Sequence, residues 1–134
     1  MDIGAGSRGN TQSWTPNTVG NINEVIISDT TLVSTNVNDA LSQWTTPTSA
    51  LSGNWGVKAI VQEARVRIGT TGPQHFDWSL RTASTDYVAG VSNAPLTSFS
   101  NFKNQLWTTN PNTSGAWAIT DIASGFNLGI KSLA

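Results

Sequence analysis

Residues 57–68, VKAIVQEARVRI, carry the longest clean pattern in the chain and constrain its fold more than any other stretch. Ile60, Gln62, Ala64, Val66 and Ile68 fall on one parity, and Val61, Glu63, Arg65 and Arg67 on the other. A two-residue period of this kind marks a strand with one buried and one charged face. Wound as a helix, the same residues would spread Glu63, Arg65 and Arg67 around the cylinder and leave no apolar stripe. The stretch predicts a strand in a sheet that is covered on one side only.

Other runs of strand length recur at short intervals. Residues 22–27 (INEVII), 32–36, 40–44 (ALSQW) and 85–89 (TDYVA) are candidates, separated by clusters of Asn, Asp, Ser, Gly and Pro that favour turns. In residues 75–81, Phe76, Trp78 and Leu80 alternate with His75, Asp77, Ser79 and Arg81, which predicts an aromatic inner face and a solvated polar one. Residues 69–73 (GTTGP) between this run and the preceding strand predict a hairpin loop. Residues 96–108 form a longer run of mixed parity, with Phe102, Leu106 and Thr108 on one side and Phe99 and Trp107 on the other; a bulge or a face buried by a second subunit would explain the mixture. Residues 117–124 carry the spacing of one short helix, with Gly125 as its C-terminal cap. Phe126, Leu128 and Ile130 alternate with Asn127, Gly129 and Lys131 in a closing strand. About eight or nine short strands divided by turn clusters describe an all-β chain, an antiparallel β-sandwich with jelly-roll topology preferred, over residues 22–134.

Residues 1–21 are rich in Gly, Ser, Asn and Thr, with Trp14 and Val19 as the sizeable apolar anchors. Such a segment cannot bury enough apolar surface to offset its own ordering, so it reads as a polar arm: a disordered terminus, or an arm ordered on a neighbouring subunit. It has neither the apolar core nor the positive flank of a secretory signal, and no run in the chain has bilayer-spanning length. The expectation is a protein made and folded in a cytoplasm and independent of membranes.

Composition narrows the chemistry. The seven basic residues are scattered from Arg8 to Lys131 and nearly balanced by eight acids, which is not the basic stripe of a nucleic-acid binder. With no cysteine, disulfide scaffolds and thiolate metal sites are excluded. His75 and Asp77 share a strand face with Arg81, yet a catalytic dyad also needs a nucleophile or an activated water beside it, and one His with one nearby carboxylate is short of ligands for a metal. The dispersed carboxylates neither support nor exclude a glycosidase pair, and Glu63 with Arg65 and Arg67 reads as a charge ladder on an outer face. No glycine-rich phosphate loop is present. No cofactor, metal or catalytic residue is expected. Six Trp is a high number for this length. Trp44, Trp55, Trp107 and Tyr87 could serve as sugar-stacking platforms, but core filling and subunit contact explain the same rings.

The C-terminal third supplies more specific landmarks. Arg81, Thr85, Asp86 and Tyr87, then Thr109, Asn110, Pro111, Gly115, Ala116 and Trp117, then Gly129, Ile130 and Lys131, together with SDTTLVST and IVQEARVRI earlier, resemble a group of small virion proteins of tailed bacteriophages. The similarity runs from about Asp29 to the end of the chain. It implies a non-enzymatic virion structural protein, in the first instance a capsid decoration or cement protein that binds the outer surface of the major capsid protein as a homotrimer and stabilises the shell. The alternative is a tail, adaptor or head-fibre component acting as a glycan-binding adhesin. On either reading Arg8, Trp14, Trp107, Asn110, Pro111 and Trp117 are the residues expected near capsid or subunit contacts.

Overall fold

The computed structural model describes residues 7–12, 34–46, 56–99, 103–123 and 125–134, with only the backbone described for residues 7–12 and 103. Seven strands follow in order: β1 (Ser7–Gln12), β2 (Leu41–Thr45), β3 (Ile60–Ala64), β4 (His75–Thr82), β5 (Thr85–Val88), β6 (Lys103–Trp107) and β7 (Asn127–Leu133). Five of them form one sheet in the order β1-β2-β7-β4-β5, and β3 pairs with β6 in a two-stranded ribbon. Among the described residues every strand pairing is antiparallel and the only helix is a single short turn, an all-β arrangement. Among the described residues no helix is long and apolar enough to cross a membrane.

The centre of the larger sheet is β7, and β4 pairs with it over most of its length. Phe76, Trp78 and Leu80 project from one face of β4 into a core completed by Ala40, Trp107, Trp117, Ile122, Phe126 and Ile130. Phe76 and Trp78 meet edge to face at 5.2 Å, as do Trp117 and Phe126 at 6.0 Å, which suits the quadrupoles of the rings. The inner parity of β3, Ile60 and Ala64, packs against the same cluster. Gln62, on that parity, crosses between the two sheets: its Nε2 donates to the carbonyls of Ser79 (3.2 Å) and Gly129, which face each other across β4 and β7. Its Oε1 accepts the indole N–H of Trp107 at 3.2 Å.

The opposite face of β4 departs from expectation. The alternation of β4 predicts a solvated face, but Ser79 is 0% and Asp77 5% exposed, and Gln43 and Asn127 beside them are buried as well. Side-chain parity identifies which residues share a face and carries no information about what lies over it. Gly129, opposite Gln43 and Ser79 in the neighbouring strands, is what allows this face to close. A Cβ there would collide with the Ser42 carbonyl oxygen and lie 2.8 Å from Gln43 Cα. Gln43 thereby reaches over the sheet to Asp86 Oδ1 at 2.9 Å, and Asp86 also pairs with Arg81 at 2.8 Å.

Four further expectations are corrected. Residues 69–73 do not close a hairpin: β3 lies in the ribbon and β4 in the larger sheet, so the connection passes between sheets. The hairpin of this region is β4–β5, whose two linking residues Ala83 and Ser84 have φ of 50° and 64°. A two-residue turn of that hand normally recruits Asn-Gly, so Ala-Ser left no signal in the sequence. The short helix expected over residues 117–124 is a single 3-10 turn, Ile119–Ile122. Asp121 Oδ2 accepts the Ala118 N–H at 2.8 Å while its own carbonyl accepts the Thr82 hydroxyl at 3.0 Å, tying the turn to β4 before a second turn can form. The long run 96–108 is a strand only over Lys103–Trp107 among its described residues. Ser34 in the expected strand 32–36 makes one isolated bridge, and the expected strand 22–27 lies outside the described residues.

Two stability measurements follow. Gly129→Ala is expected to cost about 3 kcal/mol, the upper end for overpacking, read as a fall in the urea midpoint of tryptophan fluorescence. Replacing Ala83-Ser84 by Asn-Gly relieves two left-handed residues and should raise stability by about 1 kcal/mol in the same assay.

Candidate interaction surface

The outer parity of the ribbon forms the surface. Val61 stands directly opposite Leu106, and Glu63 opposite Asn104. Because Gln62 and Trp107 point inward, their neighbours in sequence must point out: Val61 is 59% and Leu106 55% exposed. Single exposed apolar residues are ordinary, but here two branched side chains are paired across strands and share one small apolar spot. Further along the same parity, the guanidinium groups of Arg65 and Arg67 lie 5.6 Å and 5.2 Å from the centroid of the Phe99 ring. These cation–π contacts fix two cations on the Phe99 ring, and in sequence Glu63 lies between them and Val61. Leu96, whose carbonyl accepts the Ile68 N–H at 3.0 Å, is exposed just beyond.

The residues expected at contacts are placed as follows. Trp107 and Trp117 are buried, and the Trp117 indole N–H donates to the Trp107 carbonyl at 2.9 Å. Asn110 is also buried and builds the loop from within: its Oδ1 accepts the Asn112 N–H, its carbonyl accepts from Thr113 and Ser114, and its N–H donates to Gly115. Pro111 sits half-buried at the head of that turn. Arg8 is registered opposite Trp44 on β1. Trp14 lies outside the described residues, as does Trp55. Of the rings considered as sugar platforms, Trp44 and Trp107 are buried, and Tyr87 is half-buried with its hydroxyl donating to Asn112 Oδ1 at 2.9 Å. Val61 and Leu106 were not singled out by the sequence as contacts. The signal available was an apolar residue on a parity otherwise held by Glu63, Arg65 and Arg67.

His75 and Asp77 are occupied by structural work. Asp77 Oδ1 accepts the N–H groups of Trp78 (2.8 Å) and Val91 (3.2 Å), and its Oδ2 accepts that of Gly90 (3.0 Å). Between Ala89, bonded to Trp78, and Asn93, bonded to Phe76, the chain bulges out, and the carboxylate gathers the N–H groups so released. His75 Nδ1 lies 2.9 Å from the Ala134 carbonyl oxygen. Among the described residues no group of three or more His, Asp or Glu side chains could hold a metal ion.

Asp77→Ala leaves three N–H groups without their charged acceptor, and a loss of about 3 kcal/mol is expected in urea unfolding, with Asp77→Asn recovering part of it. Comparison of the chain with protein-family models, with curated proteins and with solved structures returned no match.

Proposed function

We propose that the chain is a non-enzymatic structural protein of a tailed-bacteriophage virion, a capsid decoration protein that docks on the outside of the shell and stabilises it. On this reading the ribbon and the five-stranded sheet are the two leaves of a jelly-roll β-sandwich, and copies assemble as homotrimers on local three-fold axes of the major capsid protein lattice. The observation that carries the reading is the exposed Val61–Leu106 pair on a ribbon whose inner face is locked to the core. Such a spot, small, apolar and flanked by charge, is the ordinary centre of a protein contact.

The residues behind the phage resemblance support the same reading through their roles. Arg81 and Asp86 pair across β4 and β5, Tyr87 ties that hairpin to the 110–115 loop through Asn112, and Gly129 admits Gln43 beside it. They form a framework, as expected for a building block. The scarcity of charge and the abundance of Ser, Thr and Asn suit recognition by shape and hydrogen bonding. The adhesin alternative needs exposed rings, and two of the four candidate rings are interior.

Purified protein incubated with capsids assembled without it, then sedimented and imaged, should add regular density across the shell. The double variant Val61→Ser/Leu106→Ser should unfold at an unchanged urea concentration yet bind at least about tenfold more weakly. Density confined to a vertex, or no binding, would favour the tail or adhesin reading, which a glycan array would then examine.

A further inference from the structure

β1 and β2 make an unequal pair. Strand β2 is buried through its middle, with Ser42 and Gln43 fully and Trp44 almost fully covered. A strand buried on both faces cannot leave a row of backbone N–H and C=O groups open along its edge without inviting another chain to pair there. That edge is covered by β1, whose sequence SRGNTQ contains no apolar residue. Its pairing is sparse: Ser7 with Thr45, Arg8 with Trp44 and Gln12 with Ser42, with an irregularity between Arg8 and Gln12. β1 therefore contributes main-chain hydrogen bonds and adds no apolar side chain to the core. The 21 residues 13–33 separate Gln12 from Ser34, a span of up to roughly 70 Å when fully extended.

We infer that the edge of β2 is an acceptor site for the β1 segment of a second copy of this chain, so that assembled copies are tied together by exchange of Ser7–Gln12. The acceptor requires an extended main chain in the β1 register and is indifferent to which copy supplies it. The exchanged and unexchanged forms contain the same bonds, and the balance between them is set by concentration: a chain's own strand is held near β2 at an effective concentration on the order of millimolar. Dilute protein keeps its own strand, and copies held side by side on a lattice or concentrated above that level trade strands. The inference concerns contact between copies and stands whether they attach to a capsid or to another part of the particle.

The chain has no cysteine, which permits a direct test. Ser7 and Thr45 are directly paired, at a separation a disulfide can span. Two variants, Ser7→Cys and Thr45→Cys, are prepared with different affinity tags, mixed under reducing conditions at several millimolar, and oxidised. Neither variant can close this bond within itself, so exchange yields the mixed dimer, bridged from position 7 of one copy to position 45 of the other, as the main covalent product, rising with concentration. Its absence, or formation no faster than the random dimers of either variant with itself, overturns the inference. Near-ultraviolet circular dichroism establishes that each variant is folded. Should Thr45→Cys not fold, a photo-crosslinking residue at position 7 of an otherwise unaltered chain reads the same neighbour: crosslinks to residues 42–46 of a differently tagged copy support exchange, and crosslinks confined to its own chain refute it.

Discussion

The side-chain amide of Gln62 joins the two sheets, and the arrangement of the surface follows from it. A carboxamide placed in an apolar interior costs several kcal/mol unless its groups find partners. Here both kinds of group are used: Nε2 donates to the Ser79 and Gly129 carbonyls, and Oε1 accepts from the Trp107 indole. Apolar contact alone between ribbon and sheet would tolerate sliding, because dispersion and hydrophobic burial have little directional preference. Hydrogen bonds to two facing carbonyls of a central strand pair define one position. The network continues outward, since the Trp107 carbonyl accepts the Trp117 indole N–H and Trp117 meets Phe126 edge to face at the entrance to β7.

With the inner parity of β3 and β6 so held, the outer parity is determined. Val61 and Leu106 are exposed because Gln62 and Trp107 are not. The same network holds Trp107, Trp117 and Phe126 away from the surface. Outside, among the described residues, stand a small apolar spot, a pair of arginines close to the Phe99 ring, and polar loops braced from within by Asn110 and Asp77. This is a braced scaffold presenting a modest exposed apolar area; under the decoration role proposed above, repetition over a shell would supply its effect through multiplicity.

Much of the strand content was legible because it depends on local parity. The face assignments of residues 60–68, of Phe76, Trp78 and Leu80, and of Leu128 and Ile130 are those the alternation predicts. Partnership was not legible. Nothing in GTTGP distinguishes a hairpin from a passage between sheets, and the Ala83-Ser84 turn bears no Asn or Gly to announce itself. The polar face of β4 was misread because burial there depends on Gln43 and Gly129, distant in sequence from Asp77 and Ser79. Of the residues expected at contacts, Trp107, Trp117 and Asn110 are buried within the chain, since aromatic and loop-forming residues suit interfaces and interiors equally well.

Hydrogen–deuterium exchange of the protein, free and bound to shells, tests most directly whether the outer face of the ribbon is the working surface. The account predicts that residues 75–82 and 127–133 exchange slowly in both states, and that binding adds protection over residues 60–67 and 103–107. Protection arising instead along the β4–β5 hairpin, with the ribbon unchanged, would contradict it.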